Sequence, residues 1–203
     1  FDGNSKQGRV QIYKLNNSNW EIMSISGGGE GPSDYSDELF GYSVSLNGIG
    51  NILVIGAPGN NKIYIYECIG DIWREIAHTG GPDTSFFGWS TAINFTGDIV
   101  SVGIPGYENG LVLNFGYNDN SLKPKSYIVI PGISGNKFGH SIDINASGNR
   151  IVVGIPHYDV SGIQNTGLVR VYELSGSHSW VQLGSDNMYL GGGDNAGWSV
   201  SIN

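Results

Sequence analysis

Phe40-Gly41-Tyr42-Ser43-Val44-Ser45-Leu46-Asn47 returns as Phe87-Gly88-Trp89-Ser90-Thr91-Ala92-Ile93-Asn94 and again as Phe138-Gly139-His140-Ser141-Ile142-Asp143-Ile144-Asn145. A fourth copy, Ala196-Gly197-Trp198-Ser199-Val200-Ser201-Ile202-Asn203, carries Ala in place of Phe. The repeated glycines lie 47, 51 and 58 residues apart, a period that marks a repeat architecture. A second phrase follows the first three copies and ends in Gly56-Ala57-Pro58, Gly103-Ile104-Pro105 and Gly154-Ile155-Pro156. A third follows it: Ile63-Tyr64-Ile65-Tyr66, Leu111-Val112-Leu113-Asn114-Phe115 and Leu168-Val169-Arg170-Val171-Tyr172, with an early copy at Val10-Gln11-Ile12-Tyr13. A fourth phrase opens at Trp20, Trp73 and Trp180, with Leu122 standing in for Trp.

Each phrase is a short run of β-branched, aliphatic or aromatic residues bounded by Gly, Asn, Asp or Pro, which is the signature of a strand. Turn residues separate the first two phrases: Asn47–Asn51, Phe95–Asp98 and Ala146–Asn149 each contain a Gly, as a tight hairpin requires. No window shows helical periodicity. Four antiparallel strands in a repeat of about 50 residues form the blade of a β-propeller. Ile52-Leu53-Val54-Ile55 and its relatives are nearly continuously apolar, as strands covered on both faces must be. The chain therefore reads as all-β, a β-propeller segment of four-stranded antiparallel blades with about 15 strands. The expected division is a partial blade, its last two strands and a linker, over 1–39. Blades follow over 40–86, 87–137 and 138–195, and the first strand of a further blade over 196–203. The reading favours a segment of a longer protein over a four-bladed ring lacking one strand.

Composition narrows the function. The 203 residues carry 10 Lys+Arg against 18 Asp+Glu, a net charge of −8, and only 14% are charged. A diffuse negative charge argues against nucleic acid as a partner. No apolar run is long enough to span a bilayer as a helix, so direct membrane insertion is not expected. The single cysteine, Cys68, occupies a Leu position of the third phrase and reads as a structural thiol.

Phe40-Gly41 followed by Gly56-Ala57-Pro58 resembles the FG-GAP repeat of integrin α-chain propellers and of many surface proteins. The second and third units, Phe-Gly followed by Gly-Ile-Pro, are one substitution from that pattern. The resemblance implies a propeller, and in its integrin form calcium held in an Asp-rich loop between the first two strands. Here the equivalent loops offer only Asp98, too few oxygen ligands for calcium. No metal or other cofactor is expected. Asp34, Asp37 and Glu38 read as a solvated acidic loop.

The chain holds no nucleophile elbow, phosphate loop, HExxH motif or cysteine pair, and the expectation is that it is not an enzyme. The residues after the repeated Gly are Tyr42, Trp89, His140 and Trp198, at equivalent places on the first strand of each unit. Aromatic platforms suit a protein or glycan ligand, with its apolar faces and polar rims. The blander reading, favoured here, wedges each ring between blades, with Trp89 and Trp198 mostly buried. Asn16, Asn94 and Asn145 head N-x-S/T triplets and are candidate glycosylation sites. In a chain so rich in Asn, Ser and Thr only their placement speaks, and Asn94 and Asn145 stand at hairpin tips. The expected role is an adhesion, recognition or spacer module of an extracellular, cell-surface or virion protein, with neighbouring subunits of a larger assembly as further partners. The alternatives are a substrate-targeting propeller appended to an enzyme outside this segment, or a building block of a filament or shell.

Overall fold

The structure is a computed structural model that describes residues 8–26, 39–81, 85–118, 121–129, 135–176, 179–188 and 191–203. Fifteen strands and no helix occur among the described residues. An N-terminal hairpin pairs β1 (Tyr13–Asn16) with β2 (Asn19–Ile22), and β3 (Ser24–Ile25) follows. The first whole blade is β4 (Ser43–Leu46), β5 (Ile52–Ala57), β6 (Lys62–Ile69) and β7 (Ile72–Gly80). The second is β8 (Ser90–Ile93), β9 (Ile99–Ile104), β10 (Leu111–Asn118) and β11 (Ser121–Val129). The third is β12 (Ser141–Ile144), β13 (Arg150–Ile155), β14 (Leu168–Ser175) and β15 (Ser179–Met188). Within each blade consecutive strands pair antiparallel in sequence order. These are the four-stranded blades of a β-propeller.

The repeated phrase makes one turn four times. The N–H groups of Tyr42, Trp89, His140 and Trp198 donate to the carbonyls of Leu39, Phe86, Lys137 and Asn195. The glycine inside each turn has φ between 83° and 87°, which only a residue without Cβ adopts freely. The turn drives Phe40, Phe87 and Phe138 into the core, where each is at most 2% exposed. Each meets an aromatic of the third strand edge-on: Phe40 with Tyr64, Phe87 with Phe115, Phe138 with Tyr172, at 5.4 to 6.2 Å.

The cores lie between blades. One cluster joins Ile52, Val54, Ile63 and Ile65 of the first blade to Phe87, Val100 and Val102 of the second. Another joins Ala92 and Val112 of the second to Phe138, Ile151 and Val153 of the third. The other face of β5, through Leu53 and Ile55, packs on Val10, Ile12 and Met23 of the N-terminal segment. Burial on both faces explains the unbroken apolar runs of the second strands.

Blade-to-blade approach is set by a pair of small residues. A Cβ on Gly56 would stand 2.1 Å from the Gly88 carbonyl oxygen, one on Gly103 2.1 Å from that of Gly139, and one on Gly154 2.0 Å from that of Gly197. The same carbonyls accept from serine hydroxyls: Ser43 to Gly88 at 2.9 Å, Ser90 to Gly139 at 2.8 Å, Ser141 to Gly197 at 2.7 Å.

Two segments depart from the expected layout. β3 adds to the outer edge of the first blade, parallel to β7, so Ser24 and Ile25 face Ile72 and Trp73 across a ladder. The Trp73 indole N–H donates to the Met23 sulfur at 3.4 Å, closing that edge. Residues 196–203, expected as a strand, form no ladder; Ala196 makes a single bridge to Gly167. A strand needs a partner on its edge, and this segment is instead held sideways: Asp143 accepts from the Ser201 hydroxyl and the Ile202 N–H.

Candidate functional site

The turn that buries the phenylalanines delivers the residue after the glycine to one mouth of the segment. There the four rings touch in sequence order. Tyr42 and Trp89 lie 4.6 Å apart, Trp89 and His140 5.6 Å, His140 and Trp198 4.6 Å between centroids, all tilted. Wedges would be buried between blades; the structure instead half-buries Trp89 and leaves Trp198 59% and Tyr42 48% exposed, so the expected burial of both indoles does not hold. The rings pack on one another as a row across the three blades and the segment that follows them, with their remaining faces open.

Phe86 extends the row. Its backbone sits in the left-handed region, φ 56°. Its ring meets Trp89 edge-on at 5.8 Å and lies so close to Gly106 that a Cβ there would be 2.5 Å from it. Phe86, Trp89, Pro105, Gly106 and Lys137 enclose a pocket of about 230 Å³. Lys137 enters from the matching turn of the next blade, also at positive φ, 54°. A hollow of about 300 Å³ at the N-terminal segment is lined by Arg9, Val10, Ile22, Met23 and neighbours and offers no aromatic platform.

Burial holds the His140 imidazole below its ordinary range; a hydrogen bond to the Trp198 backbone opposes this, and Lys137 and His157 add to it. Its Nδ1 is buried and finds no partner among the described residues. His157 is likewise lowered, by burial first and then by Lys137, while Asp159 works the other way. Partial burial raises the Tyr42 phenol. Lys137 thus stands beside the row as a cation, next to two imidazoles, His140 and His157, that are held toward their neutral forms.

The candidate glycan acceptors fall in different settings. Asn16 is exposed at the β1–β2 turn, its amide N–H donating to Glu21 at 3.3 Å. Asn94 is 3% exposed; its Oδ1 accepts from the N–H groups of Gly97 and Ile99, and its Nδ2 donates to Thr96 and Asp98. Asn145 repeats this with Asn149, Arg150 and Ser147. Asn47, which heads no such triplet, does the same with Gly50, Asn51 and Ile52. The tip asparagines are hairpin nuclei, and the nitrogen a glycan would need is already engaged. No group of three His, Cys, Asp or Glu side chains stands together among the described residues. Cys68 is a half-buried free thiol against the N-terminal core. Asp34, Asp37 and Glu38 lie outside the described residues.

No family model and no curated protein matches the sequence. Solved structures do share the fold. A candidate 6-phosphogluconolactonase from Bacteroides fragilis aligns with a TM-score of 0.62 at 12% identity, covering 92% of this chain and 49% of its own. Sqt1 from Chaetomium thermophilum aligns at 0.57 with 14% identity over 87% of this chain and 41% of its own. The β-propeller domain of Cps50 (Swd1) from Myceliophteria thermophila aligns at 0.54 with 8% identity over 85% and 52%. The chain spans about half the length of the structures it matches. These neighbours correct the expectation that the chain is not an enzyme. The Bacteroides fragilis structure and a further match from Bacteroides uniformis are described as candidate 6-phosphogluconolactonases, so catalysis is among the roles this fold serves. At such identity the likeness carries the fold and no catalytic residue.

Proposed function

We propose that this chain is a recognition module, a β-propeller segment that takes a glycan on the aromatic row at its mouth. The observation that carries the reading is the unbroken contact of Tyr42, Trp89, His140 and Trp198 with faces left open. Rings that served only as wedges would be covered; open, mutually tilted rings offer the stacking surface that sugar rings use. The likeness of Phe40-Gly41…Gly56-Ala57-Pro58 to FG-GAP repeats supports placing the module on a secreted or surface protein, in adhesion. The test is a glycan array probed with the chain and with Trp89→Ala and Trp198→Ala. Binding lost in both variants, with folding intact by circular dichroism, supports the reading. Binding indifferent to both substitutions overturns it.

A second reading uses the same mouth to present substrate for catalysis. The candidate 6-phosphogluconolactonases among the structural neighbours favour it. Hydrolysis of 6-phosphogluconolactone above the buffer rate, abolished with the row, would establish it; the background rate alone would exclude that substrate.

A further inference from the structure

We infer that the pocket between Phe86, Trp89 and Lys137 selects a saccharide ring that bears an anionic group, a carboxylate or a phosphate; this rests on the glycan reading of the mouth. The pocket has two aromatic walls, the Phe86 and Trp89 rings set edge to face, and a floor of Pro105 and Gly106. Its volume of about 230 Å³ suits one six-membered sugar ring rather than an extended peptide. The aromatic walls supply the stacking faces.

The rim supplies the charge. Lys137 forms no ion pair among the described residues, whereas Lys14, Arg150 and Arg170 are bound to Asp71, Glu173 and Asp186. In a chain of net charge −8, this ammonium stands beside an aromatic pocket with no counter-ion among the described residues. Burial first, and then Lys137 and His157, hold the neighbouring His140 toward its neutral form, so it supplies no competing charge. Among the described residues Asp159 stands beside His157, and its Oδ1 already accepts from the Asn165 N–H at 2.8 Å. An incoming carboxylate or phosphate would complete Lys137 with a charge-assisted hydrogen bond, roughly twice as strong as a neutral one. Phe86 and Lys137 occupy the same step of two successive turns, each at positive φ. The pocket therefore exists only where two blades meet, and its chemistry is particular to this pair of blades.

Isothermal titration of the full chain with galacturonic acid trimer, glucose 6-phosphate and maltotriose tests the inference. At least one anionic sugar is expected to bind about tenfold or more tightly than the neutral one, a difference of about 1.4 kcal/mol. Which of the two binds separates carboxylate from phosphate. Lys137→Gln is expected to remove the preference and Lys137→Arg to keep it. Equal binding of neutral and anionic sugars, or a preference unchanged in Lys137→Gln, overturns the inference and leaves the glycan reading standing. No binding by any of the three, together with an empty neutral glycan array, overturns both.

Discussion

The residue before each repeated glycine and the residue after it meet opposite fates. Phe40, Phe87 and Phe138 are sealed between blades, and Tyr42, Trp89, His140 and Trp198 line up at the mouth. One turn, closed by one backbone hydrogen bond, sends neighbouring aromatics to packing and to surface. Aromatic recurrence in a repeat therefore says little about burial until the turn geometry is known. Where a side chain fills a closed space the residue type is kept as Phe; where it borders solvent the type ranges over Tyr, Trp and His.

Stability measurements can sharpen that contrast. The largest effect is expected at Phe87→Ala, which empties a fully buried site and should cost about 3–5 kcal/mol in denaturant unfolding. A cost below about 1 kcal/mol would break the comparison. Next comes Gly103→Ala, whose added methyl meets the Gly139 carbonyl and the Ser90 hydroxyl. Neither can retreat without parting the blades, and a loss of about 3 kcal/mol is expected.

The second blade offers a control inside the core. Ser101 pairs with Asn114 where the first blade has Val54 opposite Ile65 and the third has Val152 opposite Val171. Both polar residues are buried; the Ser101 hydroxyl donates to Asn114 Oδ1, and Asn114 Nδ2 has no partner among the described residues. Ser101→Val alone should cost about 1–3 kcal/mol, because it leaves the whole amide unmatched. Adding Asn114→Ile should restore or exceed the starting stability, measured by the same unfolding midpoints.

At the mouth the effects shrink. Trp89→Ala should cost about 1–2 kcal/mol, the loss of its ring contacts and little else. A cost as large as that of Phe87→Ala would return the row to a packing role. The smallest effect is with pH. His140 in the folded chain resists protonation, so its contribution is complete above the unfolded value of about 6.5 and is lost as pH falls through the lower folded value. Melting of the chain relative to His140→Gln, followed from pH 7.5 to 5, should therefore fall, by less than about 4 °C. His157, also lowered, remains in both proteins and cancels, as do Lys137 and Asp159. A difference that stays flat or rises would refute the assignment.

Much of the fold was legible because it is written four times. The glycine turns, the two-faced second strands and the strand order all follow from recurrences that any one copy would leave ambiguous. The serine clamps are legible too in the fourth residue of each phrase: Ser43, Ser90, Ser141 and Ser199 recur as faithfully as the glycines. The tip asparagines were read through the triplet they head. Asn47, which heads none and sits in the same loop role, shows that backbone hydrogen bonding is what the position demands. β3 was not legible, since its two residues pair with the outer edge of a different blade through no local signal. Nor was the pocket. Phe86 and Lys137 stand where other turns carry Leu39 and Asn195, so no recurrence marks them, and their meeting depends on the packing of separate units.

The placement of the cores has a consequence for cooperativity. Among the described residues each apolar cluster draws on two neighbouring units. Detaching one blade would expose two apolar faces at once, so partial melting is penalised at every junction in the manner of a nearest-neighbour chain. The middle blade, clasped on both sides, should open only in the global transition, and amide protons of β9 should be the slowest in the molecule to exchange with solvent.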